Sequence, residues 1–278
     1  MADPERRPAE TDGALRDILQ SVVEPIRTRA RQVAIEDVRV GVFYTGVKLS
    51  TGHAGMAYTP SEELPLDHAK RHSYMPRAGS LRSLSAEELA GLAFSENLLE
   101  AAAGLAAINA LAELGFESGW PGSQVIVDAD ALGLLGVRPD DTVTIVGAFP
   151  YFIRQLRDKV AQLYVTERNL QAYTGYPLTP SERQEEVLSA SDVVIITAAA
   201  LGNHTLDGIL SLSKRARAIA VAGPTTPLCP RPLFERGVTV VGGTHIADGD
   251  ALLRAVGEGG TGGQARAGGA VKVNLVPA

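Results

Sequence analysis

The stretch TVTIVGAFPYFIRQLRDKVAQLYVTE, residues 142–167, decides the fold of this chain. It begins with a near-continuous β-branched run, Thr142–Val146, which is typical of a parallel strand buried on both faces. A turn at Gly147 follows, and apolar residues then recur at helical spacing through Phe149–Asp158. Gln162–Thr166 supplies a second strand. This order predicts a parallel strand–helix–strand unit of Rossmann-like type.

The second strand ends at Glu167, twenty residues beyond Gly147. Nucleotide-binding sheets commonly place an acid there that hydrogen-bonds a ribose. The turn includes Gly147, Phe149 and Pro150 but lacks the pattern G-x-G-x-x-G that wraps a pyrophosphate. A standard dinucleotide site is therefore not expected. Glu167 keeps three interpretations: a ribose ligand, a catalytic or metal-ligating carboxylate, or an ion-pair partner of a surface cation such as Arg168.

The rest of the C-terminal half alternates strands and helices, which predicts a mostly parallel, doubly wound α/β sheet over residues 120–278. Strands are predicted at Asp192–Thr197, Ala218–Ala222, Val238–Val241 and Val271–Leu275, and helices at Thr205–Lys214 and Asp248–Val256. The glycine-rich run Gly257–Gly269 is interpreted as a flexible loop.

The N-terminal half predicts a smaller α+β domain over residues 12–116. An amphipathic helix runs from Gly13 to about Arg31 and is interrupted by Pro25. A β-hairpin follows, with period-two alternation from Val38 to Tyr44 and a return strand at Gly55–Thr59. A capping box at Ser85 and Glu88 opens a long helical region that ends near Leu114 and that Gly91 and Gly104 could divide. Residues 115–128 are interpreted as the link between the domains.

Composition excludes several classes of protein. The 278 residues carry a formal net charge of −6 with both signs mixed, so a nucleic-acid partner is not expected. The single cysteine, Cys229, fits a reducing compartment. No apolar run approaches the roughly 18 residues of a membrane span, and the polar N-terminus lacks a signal-peptide core. We therefore expect a soluble, cytoplasmic protein without a membrane partner, and a homodimer as the default assembly.

Ligands of an open parallel sheet bind beyond the carboxyl ends of its strands. Four post-strand turns should meet there: residues 147–150, 167–169 with Asn169, 198–205 and 223–227. In the third turn, Asn203 or Thr205 could simply cap a helix. Alternatively, His204 could serve as an acid/base group, a metal ligand or an oxyanion donor.

The fourth turn offers Pro224, Thr225 and Thr226 as ligand-binding groups, or merely as a rigid loop. His53 lies at the hairpin turn and could reach over the site of the neighbouring domain, although an ordinary turn explains it equally well. His68 and His72 could share a helix face and hold a metal, but a solvated loop is favoured over this hypothesis.

Several stretches together carry a resemblance to a known family. They are VGVFYTGVKLSTGHAGMAYTP, NLLEAAAGLAAINAL, VTIVGAFPYFIRQLRD, LYVTERN, SDVVIITAAALGNHTLDGILSLSK, AVAGPTTPLCPRPLF and GVTVVGGTHIADGDALL. In this order, over roughly residues 15–256, the chain resembles a bacterial and archaeal family of heavy-metal chelation domains. The resemblance implies an N-terminal domain like that of enolases, a Rossmann-like second domain with some likeness to methyltransferases, and an active site in the cleft between them.

The resemblance supports five pocket residues, namely Glu167, Asn203, Thr205, Pro224 and Thr225. It implies metal chelation, or a condensation or hydrolysis step in making siderophore-, pterin- or flavin-like molecules. The sequence departs from the family at residues 198–200, which are all alanine, and at His204, which puts an identical substrate in doubt.

Three functions follow as hypotheses. The first is an enzyme acting on a small polar, metal-binding metabolite, with Glu167 and His204 as the acid/base or ligating pair. The second is a non-catalytic binding protein for a metal ion, divalent or ferric, or for a metal chelate. The third is a transferase that uses S-adenosylmethionine or a nucleotide; the missing glycine-rich turn weakens this hypothesis.

Overall fold

A computed structural model describes residues 12–30, 32–64, 74–117, 119–168 and 175–278. The helices are α1 (Gly13–Val23), α2 (Arg27–Ala30), α3 (Ala86–Gly91), α4 (Leu98–Phe116), α5 (Ala131–Leu135), α6 (Pro150–Leu156), α7 (Gln184–Ala190), α8 (Ala199–Gly202), α9 (Leu206–Leu212), α10 (Arg231–Phe234), α11 (Gly249–Gly257) and α12 (Gly262–Ala267). The strands are β1 (Ile35–Val40), β2 (Tyr44–Leu49), β3 (Ala54–Tyr58), β4 (Ser123–Val127), β5 (Thr142–Val146), β6 (Gln162–Thr166), β7 (Val193–Thr197), β8 (Ala218–Ala222), β9 (Val240–Ile246) and β10 (Ala270–Pro277).

The C-terminal part is built on a seven-stranded sheet in the order β4-β10-β9-β8-β7-β5-β6. The five strands from β6 to β9 are parallel, and β10 runs antiparallel to both of its neighbours. The predicted mostly parallel, Rossmann-like sheet is therefore confirmed. Because β5 pairs with both β6 and β7, the strand order reverses between β5 and β7, which is where sheets of this type commonly bind ligands.

The N-terminal part contains a three-stranded antiparallel sheet in the order β1-β2-β3, against which α4 packs. The continuous strand predicted from Val38 to Tyr44 is wrong, because the chain turns at residues 41–43 between β1 and β2. The backbone at Gly41 passes so close to α11 that an added Cβ would lie 2.3 Å from the carbonyl oxygen of Val256. The turn is thus set by a tertiary contact that period-two alternation does not reveal.

The helices of the N-terminal part follow their sequence signals closely. Pro25 ends α1 in a short 3-10 turn, and the capping box of Ser85 and Glu88 begins α3 as predicted. Gly91 ends α3, whereas Gly104 lies inside α4 without breaking it. A Cβ at Gly104 would lie 2.0 Å from the Ala93 nitrogen, so this glycine serves close helix packing.

The N-terminal part covers one face of the seven-stranded sheet. One continuous core cluster joins Leu15 and Ile18 of α1 and Leu111 of α4 to Val194 and Ile196 of β7. The alternate residues of β7, with α5 and α6, form a second cluster on the opposite face. The two predicted domains thus share one hydrophobic layer.

Two predictions for linking segments are corrected. The supposed link at residues 115–128 includes β4, which forms one edge of the large sheet. The supposed flexible loop at Gly257–Gly269 includes α12, which begins at a capping box of Thr261 and Gln264. In both cases glycines mark turns at the ends of an element, and the element itself is short.

One helix in the described part of the chain is long and apolar enough to cross a membrane, contrary to the expectation from the sequence. This segment of α4, Leu98–Gly115, is 89% buried inside the protein. Burial of this extent is that of a core helix, and its packing against β2 and β3 explains the composition.

Candidate functional site

The turns that follow β5, β6, β7 and β8 lie side by side at the carboxyl edge of the sheet, because these strands are parallel neighbours. The first turn requires glycine. Gly147 has φ +93°, and an added Cβ would lie 2.7 Å from Cγ2 of Thr197 at the end of β7. Its N–H donates to the carbonyl oxygen of Thr166 at 2.8 Å. The first and third turns are therefore in direct contact where the strand order reverses.

Glu167 braces two of these turns. One carboxylate oxygen accepts from the N–H of Ala148 at 2.8 Å, and the other accepts from the N–H of Arg168 at 2.7 Å. The sequence places this acid correctly at the end of β6. Its visible contacts hold the turn after β5 against the turn after β6, so a structural role accompanies any role towards a ligand.

A narrow cleft separates the carboxyl edge of the sheet from the N-terminal part. Its polar lining comes from both sides: Tyr58 and Glu63 from the N-terminal part, and Asn203 and Thr225 from the sheet turns. Apolar residues of α4, including Leu105, complete the wall. The cavity volume is about 20 Å³, which is room for about one water molecule. A metabolite can enter only if the walls move apart.

Thr225 joins the two walls. It is only 3% exposed, and its Oγ1 accepts a hydrogen bond of 2.8 Å from the N–H of Tyr58. Burial raises the pKa of Tyr58, and the nearby charges of Glu62, Glu63 and Glu167 raise it further. Tyr58 therefore remains a neutral phenol at physiological pH, at a cleft edge with an excess of carboxylates.

The turn after β7 divides its three polar side chains between two environments. Asn203 lines the cleft, and its Oδ1 accepts from the Thr205 hydroxyl at 2.6 Å. Thr205 occupies the N-cap position of α9, as one of the two predicted alternatives, but its side chain makes no capping hydrogen bond. Asn203 is thus held in place by Thr205 at the cleft wall.

His204 faces a different part of the molecule. Its Nδ1 lies 2.9 Å from Oδ2 of Asp12, which precedes α1 and is 3% exposed. The two atoms are not aligned as a hydrogen bond, and neither finds another hydrogen-bond partner among the described residues. Burial raises the pKa of Asp12, and the charge of His204 opposes that rise. His204 is absent from the cleft lining and pairs with the N-terminal part.

Three other predicted site residues, Phe149, Pro150 and His53, are not among the residues that line the cleft. Phe149 is partly buried against the core of the far face, with its ring centroid 5.2 Å from that of Phe152. Pro150 is the first residue of α6 and is exposed. His53 binds Glu117, with Nε2 and Oε1 3.0 Å apart. It lies about 16 Å from Tyr58 along β3, since a strand rises ~3.3 Å per residue.

Two further predicted positions, Asn169 and the pair His68 and His72, lie outside the described residues.

The loop after β8 carries buried polar atoms beside the cleft. The carbonyl oxygen of Pro224 accepts from Nδ2 of Asn109 on α4 at 3.2 Å. Among the described residues, neither Oδ1 of Asn109 nor Oγ1 of Thr226 finds a hydrogen-bond partner. Buried polar atoms normally have a protein or water partner. Thr226 is buried and is not among the residues that line the cleft.

No group of three or more His, Cys, Asp or Glu side chains that could hold a metal ion occurs in the described part of the chain. Cys229 is fully buried, and burial raises the pKa of its thiol to about 12. A thiol with this pKa is neither a nucleophile nor a ready metal ligand at physiological pH. Cys229 is one of the packing residues of the main core cluster.

Sequence reasoning about the site did not single out Tyr58, Glu63 or the α4 residues that complete the cleft. The available signal was the Tyr-Thr-Pro segment that ends the hairpin, since a proline directly after a strand fixes an exit from the sheet. The partner of Tyr58 is Thr225, 167 residues later. That pairing depends on how the N-terminal part docks, which no local pattern encodes.

Comparison with known proteins places this geometry in a family. A model of the DUF364 family, described as "Putative heavy-metal chelation", matches residues 130–275. The chain belongs to this family. A model of the DUF4213 family, with the same description, matches residues 23–112. The first match covers the seven-stranded sheet and the second covers most of the N-terminal part, so the resemblance inferred from the sequence is confirmed.

Solved structures share this architecture. A DUF364-family protein of unknown function from Pyrococcus horikoshii has a TM-score of 0.75 at 24% identity, over 94% of this chain and 100% of its own. A second, from Desulfitobacterium hafniense, has a TM-score of 0.74 at 24% identity, over 94% and 98%. At this identity the likeness establishes the fold.

An uncharacterised protein of Methanocaldococcus jannaschii is 26% identical over 171 residues. The match spans 60% of this chain and 62% of that relative.

Proposed function

We propose that this protein binds a small polar metabolite carrying a metal ion, in the cleft between the N-terminal part and the carboxyl edge of the sheet. The observation that carries the proposal is the Tyr58–Thr225 contact: the two parts meet through polar groups where parallel sheets bind ligands. The two walls of the cleft also come from different parts of the molecule, which suits a site that opens and closes around its ligand.

A metal chelate fits better than a bare ion. The family description points to metal chelation, whereas the described residues offer no cluster of three metal-ligating side chains. High-affinity protein sites for transition metals use clustered His, Cys or carboxylate ligands. A metal that arrives with its own organic ligands needs only shape and hydrogen bonds from the cleft, which Asn203, Thr225 and the Tyr58 phenol can provide.

The charge around the cleft narrows the ligand class. The charges of Glu62, Glu63 and Glu167 all raise the pKa of Tyr58. The nearby cation is Arg168, whose Nη1 lies 3.9 Å from Oε2 of Glu63. Because carboxylates outnumber this cation, a neutral or cationic complex is favoured over a strongly anionic one. Glu63, which is exposed at the rim, would make the first electrostatic contact with an entering cation.

The direct test is binding of defined probes to purified protein by calorimetry and thermal shift. The probes are Fe³⁺ with 2,3-dihydroxybenzoate at one to one, the same chelator alone, and Zn²⁺ alone. We expect the iron complex to bind and Zn²⁺ alone not to bind. A ligand at 100 times its Kd should stabilise the protein by about 2.7 kcal/mol. No binding by the iron complex would contradict the proposal.

Matched variants locate the site. Thr225→Val removes the hydroxyl between the walls, and Thr239→Val makes the same change at the amino end of β9, where Thr239 bonds Ile219. We expect weaker binding by about tenfold only for the first variant, as for loss of one to two kcal/mol of hydrogen bonding. Equal effects of both variants would place the ligand elsewhere.

The same experiments, with two additions, distinguish a binding protein from an enzyme and from a transferase. Mass spectrometry of the chelator after incubation distinguishes an enzyme from a binding protein, since an enzyme changes the mass or yields fragments. S-adenosylmethionine added to the thermal-shift panel tests the transferase hypothesis. Stabilisation by S-adenosylmethionine with none by the iron complex would favour a transferase over the proposed chelate binding.

A further inference from the structure

A groove on the described surface lies away from the cleft, along the outer side of α1. It has a cavity volume of about 400 Å³. Its floor is apolar, with Leu19 and Val23 of α1 and Phe94 beyond α3. Its rim is charged, with Arg16, Glu24, Arg27 and Glu87. An apolar floor with a polar rim is the anatomy of a protein interface.

The order of side chains along α1 decides what fits this groove. Arg16, Gln20 and Glu24 are spaced by four residues and form one exposed ridge of the helix. The backbone at Glu24 is still helical, with φ −56° and ψ −50°, so the ridge is continuous. The ridge carries a cation at one end, a neutral amide at its centre and an anion at the other end.

Such a ridge is complementary to itself. When two copies of α1 meet antiparallel about a two-fold axis at Gln20, Arg16 of each copy faces Glu24 of the other. The two Gln20 amides meet on the axis, where each can donate to and accept from the other. A two-fold contact uses the same patch on both copies, so every favourable pair occurs twice. We propose that the α1 groove is a homodimer interface, and that its occupant is α1 of a second copy.

Contacts within the chain do not prevent this pairing. Glu24 also lies 3.1 Å from Arg27, but the two side chains are 58% and 54% exposed. An exposed pair of this kind contributes about 0–1 kcal/mol. Arg16 is also engaged within the chain and lies close enough to lower the pKa of Asp12, but its guanidinium has five N–H donors and can keep this contact while it binds Glu24 of the other copy. In the dimer, Arg27 would remain beside Glu24 and extend the charged rim.

Charge reversal with restoration tests the proposal by analytical ultracentrifugation. The wild type should reach twice the chain mass of 29.2 kDa at concentrations up to about 100 μM. Arg16→Glu and Glu24→Arg each create two like-charge contacts and should raise the dimer Kd by about tenfold or more. The double variant Arg16→Glu/Glu24→Arg should restore dimerisation.

Two further variants keep the test decisive if a charge reversal perturbs folding. Gln20→Glu is an exposed, nearly isosteric change that puts two carboxylates on the axis and should weaken the dimer above pH 5. Arg154→Glu is the control: it makes the same charge change as Arg16→Glu, but on α6, which packs on the opposite face of the sheet. This variant should leave the dimer intact.

Circular dichroism verifies the fold of each variant. A wild type that remains monomeric at 100 μM would overturn the proposal. So would a dimer that neither single reversal weakens, or one that the double reversal fails to restore.

Discussion

His204 and His245 each join the sheet to a buried carboxylate of the N-terminal part, yet the two contacts differ in quality. His245 places Nδ1 2.5 Å from Oε2 of Glu113, whose other oxygen accepts from the N–H of Ile246 at 3.3 Å. His204 approaches Asp12 at 2.9 Å without hydrogen-bond alignment and with a strained backbone, φ +59°. The two carboxylates are equally buried, each 3% exposed, so the contacts differ in alignment and not in burial.

The position of the two histidines favours a structural role over a catalytic one. A histidine turned towards a buried carboxylate can look like half of a catalytic pair. Here both partners span the junction of the two parts, and neither histidine lines the cleft. We therefore interpret both pairs as contacts that stabilise the junction of the two parts. Variants can compare how much each pair contributes to the free energy of unfolding.

The largest effect is expected from Glu113→Ala. Glu113 is 3% exposed, and its loss leaves both the His245 ring and the Ile246 N–H without their acceptor. Removing one partner of a buried charged pair costs about 3–5 kcal/mol, and partial exposure of His245 puts this case near about 3 kcal/mol. Urea unfolding measures the loss. The control Glu117→Ala, at an exposed carboxylate, should cost about 1 kcal/mol or less.

A smaller loss is expected from Asp12→Ala, about 1–2 kcal/mol by the same measurement. This change removes the partner of His204, but it also removes a carboxylate whose pKa burial raises, and the second effect offsets part of the first. Asp17→Ala is the control, since Asp17 is half-exposed and bonds Arg236. A loss for Asp12→Ala that equals that for Glu113→Ala would mean that alignment is not what distinguishes the pairs.

His204→Asn should change stability by about 1 kcal/mol or less. Asparagine tolerates the left-handed backbone that a bulky residue resists, so relief of strain compensates for the lost contact. Binding of the iron complex should be unchanged, because His204 does not line the cleft. Loss of ligand binding in a folded His204→Asn variant would instead return His204 to the site.

The sequence predicted the sheet well because its strands are buried on both faces and carry a strong β-branched signal. The bounds of β5, β6 and β8 match the predictions residue for residue. β4 was missed because it is a short edge strand with Val125 and Val127 exposed. Edge strands need not be apolar on both faces, so their pattern is weaker.

The site was predicted less completely, for a physical reason. Asn203, Thr225 and Glu167 could be placed at strand ends because parallel strands share one carboxyl edge. The directions of His204 and His53 could not, since each depends on a partner in a distant element or across a turn. Asp12 is 192 residues from His204, and their contact forms only when the two parts dock.

The smallest expected effect is a pH dependence of the His245 contact. The hydrogen bond to Glu113 raises the pKa of His245 above its ordinary value of 6.5, burial opposes the rise, and the charges of Glu113 and Glu117 add to it. His53 faces the same group of charges through Glu117.

Because the pKa of His245 is raised in the folded state, its contact with Glu113 stabilises the protein fully below pH 6.5, and this contribution is lost as pH rises through the folded pKa. The difference in unfolding free energy between wild type and His245→Gln should therefore fall by about 0.5 kcal/mol between pH 6 and pH 9, a small value because the ring is partly exposed. Urea unfolding of both proteins at the two pH values measures it, and a difference that grows with pH would contradict the assignment.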